Sequence, residues 1–206
     1  AATPMAAGDG HENTPYMICT PQQFMKIEQV VKAASAQTSG HVEIYFKLGA
    51  NLDFTGIVEW TGNTFSDEDV SINLDGDGYE ISNVSIIDSE NNVGLFTFIA
   101  GSSGREYDIK DLRLKGLLLV GYYSAPFHEK AKLTNVSIVD STITGTEANG
   151  LLAGIGGSAH YGTCIQCYAE NLKITGKTKA SAIGGEAHIS SFVKNSEIFN
   201  SALPGQ

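Results

Sequence analysis

Between Leu133 and His188 the chain reads twice through nearly the same phrase. Leu133-Thr134-Asn135-Val136-Ser137-Ile138 leads to Ile143-Thr144-Gly145 and then to Ile155-Gly156-Gly157-Ser158-Ala159-His160. The second reading is Glu170-Asn171-Leu172-Lys173-Ile174, Thr175-Gly176 and Ile183-Gly184-Gly185-Glu186-Ala187-His188. Ile-Thr-Gly returns after 31 residues and Ile-Gly-Gly-x-Ala-His after 28. Repetition on this scale marks a chain of stacked units, because one such unit cannot bury its apolar face alone and its neighbours must cover it. Within each unit polar and aliphatic residues alternate, which is the period of a strand. The expected class is all-β, a stacked coil of short strands.

The rest of the chain fits that frame. Thr20-Pro21-Gln22-Gln23 is a helix start, with a Thr cap, Pro at the first helical position and Gln three residues after the cap. Phe24, Ile27, Val30, Val31 and Ala34 then fall on one helical face. This predicts one helix over about 21–35, and a stack of strands needs such a cap over its open end. From His41 the period changes to two. Val42, Ile44 and Phe46 alternate with Glu43, Tyr45 and Lys47, and Asp75-Gly76-Asp77-Gly78 closes a later strand with a turn. Asn83, Asp111, Asn135, Asn171 and Asn195 recur as anchors of the repeating phrase, with spacings of 28, 24, 36 and 24. Asn suits such turns because it tolerates the left-handed conformation and can bond between neighbouring units. Residues 1–13 are small and polar and are expected to be mobile; 14–206 are expected to be a single domain.

Composition narrows the partners. Thirteen Lys and Arg against 23 Asp and Glu leave a net charge of −10, which disfavours nucleic acid and anionic glycans or membranes. No apolar run is long enough for a bilayer-spanning helix. The start Ala1-Ala2-Thr3 suggests a chain whose leader has been removed. Of three cysteines, Cys164 and Cys167 form a Cys-x-x-Cys and Cys19 stands apart. No second ligand pair follows for a metal finger, so buried thiols acting as small hydrophobes are expected, with a disulfide of either pairing left open.

Several segments in this order resemble the GLUG-repeat proteins of bacterial surfaces and secretions. They are Gly8-Asp9-Gly10 with Asn13 to Phe24, Tyr45 to Phe54, Leu74 to Ile86, Val93-Gly94-Leu95-Phe96, and Asn149-Gly150-Leu151-Leu152-Ala153-Gly154. Such repeats also occur beside the peptidase region of immunoglobulin A metallopeptidases. The resemblance spans about residues 8–200 and implies a right-handed parallel β-helix (solenoid) with an N-terminal capping α-helix, extracellular or on a cell surface. It implies no catalysis by the repeats themselves. The zinc-peptidase pattern is absent too, since His11-Glu12 and His128-Glu129 both lack the second His.

Three constellations are candidates for chemistry. His128, His160 and His188 close similar parts of the phrase, so a ladder of imidazoles able to hold a metal or a ligand is one reading. Turn histidines that satisfy backbone groups are the other, and with no acid or Cys recurring beside them no metal or other cofactor is expected. Tyr122, Tyr123 and Tyr161, with Phe127 and Tyr168, could stack on sugar rings if they share a face, or fill the core. Asp67, Glu68, Asp69, Asp75 and Asp77 are read as turn and loop residues, with the strands carrying mostly Ser, Thr, Asn and Lys outward. A non-enzymatic extracellular module that binds glycan or a cell-surface protein is therefore expected. A polysaccharide lyase or glycoside hydrolase on the same scaffold, or a structural stalk, is the alternative.

Overall fold

A computed structural model describes residues 4–98, 106–128, 131–146, 151–153, 162–176, 179–181, 187–189 and 191–200. Its elements in order begin with β1 (Tyr16–Ile18), α1 (Pro21–Phe24), α2 (Ile27–Ala36), β2 (Val42–Leu48), β3 (Leu52–Asp53) and β4 (Asn63–Phe65). Then come β5 (Val70–Asp75), β6 (Glu80–Ser82), β7 (Ser85–Asp88), β8 (Phe96–Phe98), β9 (Glu106–Lys115) and β10 (Leu118–Gly121). The last are β11 (Ala131–Gly145), β12 (Leu151–Ala153), β13 (Thr163–Ile165), β14 (Tyr168–Gly176), β15 (Lys179–Ser181), β16 (Ala187–Ile189), β17 (Phe192–Lys194) and β18 (Glu197–Asn200). The chain is mostly β, and the described strands pair in parallel.

The pairing returns the chain again and again to three sides. The first side stacks β1, β2, β5, the start of β9, the start of β11, β13 and β16. The second stacks β3, β6, the end of β9, the middle of β11, the start of β14 and β17. The third stacks β7, β10, the end of β11, the end of β14 and β18. Val42 lies beside Val70, Tyr107 beside Ala131, Lys132 beside Thr163, and Thr163 beside Ala187. Ile143 lies beside Ile174, so the recurring Ile-Thr-Gly is one strand end stacked on the next.

Period-two patterning fills the inside with columns: Phe46, Leu74, Ile109, Leu133 and Cys164; Leu52, Ile81, Leu114, Ile138 and Ala169; Ile86, Leu119, Ile143 and Ile174. Ile81, Val84, Ile86, Leu112, Leu114, Val136, Ile138, Leu172 and Ile174, the core residues that the repeat dictates, are all at most 2% exposed. An aromatic stack adds to this core: the Phe96 ring lies 5.9 Å from Phe24 and 5.5 Å from Phe127.

Two columns of left-handed residues turn the corners. Between the first and second sides stand Asp77, Asp111, Asn135 and Gln166, with φ of 49°, 52°, 52° and 52°. Between the second and third stand Asn83, Gly116, Asp140, Asn171 and Asn195, with φ from 48° to 64°. The single series of anchors read from the sequence is thus two series. Asp111 and Asn135 belong to one corner, Asn83, Asn171 and Asn195 to the other, and the spacings of 28 and 36 mixed the two. Side chains climb each corner: Asn135 donates to Asp111 at 2.9 Å, Asn171 to Asp140 at 2.9 Å and Asn83 to Asp53 at 3.0 Å. Serines complete them. The amides of Leu117, Cys167 and Leu172, each just past a left-handed residue, donate to the hydroxyls of Ser141, Ser191 and Ser196, each 24 residues on.

The cap differs from its expectation in one respect. Thr20 and Gln23 form the capping box and Phe24, Ile27 and Val31 are buried, but the helix is in two pieces. In an unbroken helix the Glu28 amide would donate to the Phe24 carbonyl. Buried Asn63 intercepts that bond: its Nδ2 donates to Phe24 O at 3.2 Å and its Oδ1 accepts from Glu28 N at 3.0 Å. A side chain inserted into the helical ladder is a recognised cause of a kink.

Residues 4–13 make several backbone contacts with the first strands. Met5 is 6% exposed, Ala6 and Ala7 exchange 2.9 Å bonds with Met17, and Tyr45 N donates to Gly10 O at 2.9 Å.

Ile138→Ala should cost about 2–5 kcal/mol in urea unfolding, from lost burial plus a cavity. Asn63→Ala should cost about 1–3 kcal/mol, because two backbone groups would be left buried and unpaired.

Candidate functional site

The outward residues of the first side form a continuous polar surface. Three columns run across it: Glu43, Ser71 and Glu106; Tyr45, Asn73, Asp108, Lys132 and Thr163; Lys47, Asp75, Lys110 and Thr134. Strand spacing puts neighbours in a column about 4.8 Å apart. A hollow of about 650 Å³ opens between the Glu12 loop and Tyr45, Asn73, Asp108 and Lys110. A second, of about 320 Å³, continues past Ser71, Glu106 and Lys132 to Thr163. Glu43, Asn73 and Asp108 line both, so the two form one groove along the stack.

Acids are therefore not confined to turns and loops. Glu43, Glu106 and Asp108 project from strands into the groove, and their signal was the alternation itself, which places every second residue outside. Lys110 lies 3.8 Å from Asp75, and Lys47 lies 3.8 Å from Asp77. The Tyr45 phenol is held above its ordinary pKa, first by loss of hydration and then by Glu43, Glu12 and Asp108. It stays protonated as a donor.

At one end of the groove His41 bridges two passes of the chain. Its Nδ1 lies 2.6 Å from Asp69 Oδ1 and its Nε2 2.8 Å from Ser71 Oγ. This is the order of a hydrolytic relay. But Asp69 and His41 are about half exposed, and Glu43 and Glu106 flank Ser71 in register. Negative charge on both sides opposes an oxyanion, so the trio acts as a clasp between passes.

The residues singled out by the repeat are dispersed. His128 is buried, and its Nε2 meets Val93 O at 2.7 Å. A carbonyl only accepts, so Nε2 carries the proton. Close packing fixes this ring: a Cβ on Gly94 would lie 2.9 Å from His128 Cδ2 and 2.2 Å from Ala125 O. That accounts for Gly in the Gly94-Leu95-Phe96 segment. His188 lies on β16 beside Cys164 of the first side, whereas His128 follows the bridge between Phe96 and Phe127. These two therefore form no ladder. Just before the two hexapeptides β12 and β15 pair at an offset of 28, Leu151 beside Lys179, whereas β13 and β16 pair at 24. His160 and Tyr161 lie outside the described residues. Tyr122 and Tyr123 touch each other, centroids 4.8 Å apart, just past the third side. Phe127 is in the core, and Tyr168, on the second side, donates to Glu170 at 2.9 Å. Among the described residues Tyr122 and Tyr123 thus lie apart from Phe127 and Tyr168. Among the described residues no three His, Cys, Asp or Glu side chains group as metal ligands. Among them, too, no helix is long and apolar enough to cross a membrane.

No family model matches this sequence. It is 28% identical over 197 residues to halomucin of Haloquadratum walsbyi, a match that covers 93% of this chain. The chain spans 2% of the length of that protein. Among solved structures it is similar to one described as a "putative immunoglobulin A1 protease from Bacteroides ovatus", with a TM-score of 0.41 and 15% identity. That likeness covers 97% of this chain and 81% of the other.

Burial lowers the His128 pKa from 6.5 to about 4, against the hydrogen bond to Val93, which raises it. Its stabilising effect should be complete above pH 6.5 and fall as the pH drops towards 4, because the unfolded chain takes up a proton that the folded one refuses. The loss should approach about 3 kcal/mol. Chemical unfolding at pH 7 and pH 4.5 checks this, since a His128→Gln variant should show a shallower pH dependence than the parent.

Proposed function

We propose that this chain is an extracellular or cell-surface binding module, a right-handed parallel β-helix that recognises a neutral glycan or a cell-surface protein along its first side. The groove through Tyr45, Asn73 and Asp108 carries this reading. It offers an aromatic ring, a phenol donor, amides, ammonium groups and carboxylates at the spacing of stacked strands, a set suited to hydroxyl-rich or peptide ligands. Its carboxylates disfavour anionic polymers. Right-handedness agrees with the general preference of parallel crossovers. The match to halomucin supports the extracellular setting.

Cleavage is less well served by the same surface. Glu43 and Glu106 stand two strands apart, about 10 Å, with Ser71 between them. A general acid needs an enclosed, apolar setting to hold its proton at neutral pH, and this groove is open to water.

The test is a screen of neutral and acidic glycans and of surface-protein extracts, followed by calorimetry. A ligand of the groove should lose at least tenfold in affinity with Tyr45→Ala or Asn73→Ala, which is about 1.4 kcal/mol, and should release no new reducing ends. New ends that vanish in Glu43→Gln or Glu106→Gln would establish the enzyme instead. No ligand in any arm would leave the stalk.

A further inference from the structure

The first corner is built alike in three successive passes. Ile109 and Leu112 flank Asp111, Leu133 and Val136 flank Asn135, and Cys164 and Cys167 flank Gln166. All six flanking residues are at most 1% exposed. The left-handed residue points outward and its two flanking side chains meet inside the corner. In two passes the meeting pair is aliphatic. In the third it is a pair of thiols.

These thiols are in hydrogen-bonding contact with each other, and Cys167 Sγ also lies 3.6 Å from Leu133 O and 3.7 Å from Ile165 O. The backbone around them is braced from the next pass. Ser191 Oγ accepts from Cys167 N at 3.1 Å and donates to Cys164 O at 3.3 Å. Elsewhere on this corner Asn135 ties to Asp111 by side chains, whereas Gln166 has a longer, exposed side chain. A covalent tie inside the corner would take over that role.

We infer that Cys164 and Cys167 form a disulfide across this corner when the chain folds in an oxidising medium. The two sulfurs must be able to approach each other, and the contact between the thiols shows that the corner brings them together. The oxidant is a low-molecular-weight disulfide. The Cys167 thiolate attacks one of its sulfurs and expels a thiolate. Cys164, deprotonated in turn, attacks Cys167 Sγ in the mixed disulfide and expels the second thiolate. The cysteines lose two electrons and two protons, and the donor becomes two thiols. Contact with the Cys164 thiol holds the Cys167 pKa down, so Cys167 is the readier nucleophile. Both sulfurs are buried, so exchange needs an open corner, and the finished bond is shielded from reductants.

The experiment refolds the full chain from denaturant in a mixture of reduced and oxidised glutathione. The product is unfolded, alkylated and digested, and its peptides are weighed. The expected result is one peptide that carries Cys164 and Cys167 unalkylated and lighter by two hydrogens, with Cys19 alkylated. Reduction before alkylation should restore both thiols. The oxidised parent should also melt higher than the reduced parent, with no such difference in a Cys164→Ala, Cys167→Ala double variant. Alkylation of both cysteines after oxidative refolding would overturn the inference. So would a bond to Cys19 or to a second chain, or bound metal that holds both thiols reduced.

Discussion

The parallel stack depends on a chain that can turn sharply while keeping its register. Sharp turning requires a left-handed residue at each corner, and L-residues with a side chain resist that conformation. Asn and Asp resist it least, because a short polar side chain can bond locally. Here the same side chains also bond to the pass above or below, as Asn135 does to Asp111 and Asn171 to Asp140. The strain of one corner is thereby offset by its neighbour. Strands of three or four residues then suffice, because each is positioned by its corners as well as by its ladder.

Much of this was legible. The phrase around Ile143 and Ile174 stacked as its repetition implied, and the alternation identified the inward residues from Ile81 to Ile174. The helix cap at Thr20 was legible as well, since capping is local chemistry. What could not be read was phase. Both corners use the same residue types, so a list of Asn and Asp anchors does not say which corner each one turns. The advance from one pass to the next also varies along the chain, from 28 between β12 and β15 to 24 between β13 and β16, where His188 lies beside Cys164. The break in the helix had no signal near it, because its cause is Asn63, 39 residues after Phe24.

The groove was hidden differently. Glu43, Glu106 and Asp108 are unremarkable in sequence, each a polar residue in an alternating strand. Only the register brings them to one surface with Tyr45. Tyr122, Tyr123 and Phe127 drew notice by clustering in sequence, yet they divide between surface and core. In a stack of strands, closeness across passes decides what a ligand meets, and closeness along the chain does not.

The corners also divide the molecule by what evolution or an engineer could lengthen. Asp111 to Gly116, Asn135 to Asp140 and Gln166 to Asn171 are each five residues, and Asp77 to Asn83 is six, its extra residue falling in the turn before β6. From a second corner to the next first corner the count runs 28, 19 and 26, for Asn83 to Asp111, Gly116 to Asn135 and Asp140 to Gln166. The third side always enters its strand two residues past the corner, so the surplus lies beyond Asp88, Gly121 and Gly145. That flank takes up the differences in length, though Leu95, Phe96 and Phe127 within it are core. Loops grafted there would leave the stacked columns in register, whereas one residue added within a strand of the second side would turn that strand inside out.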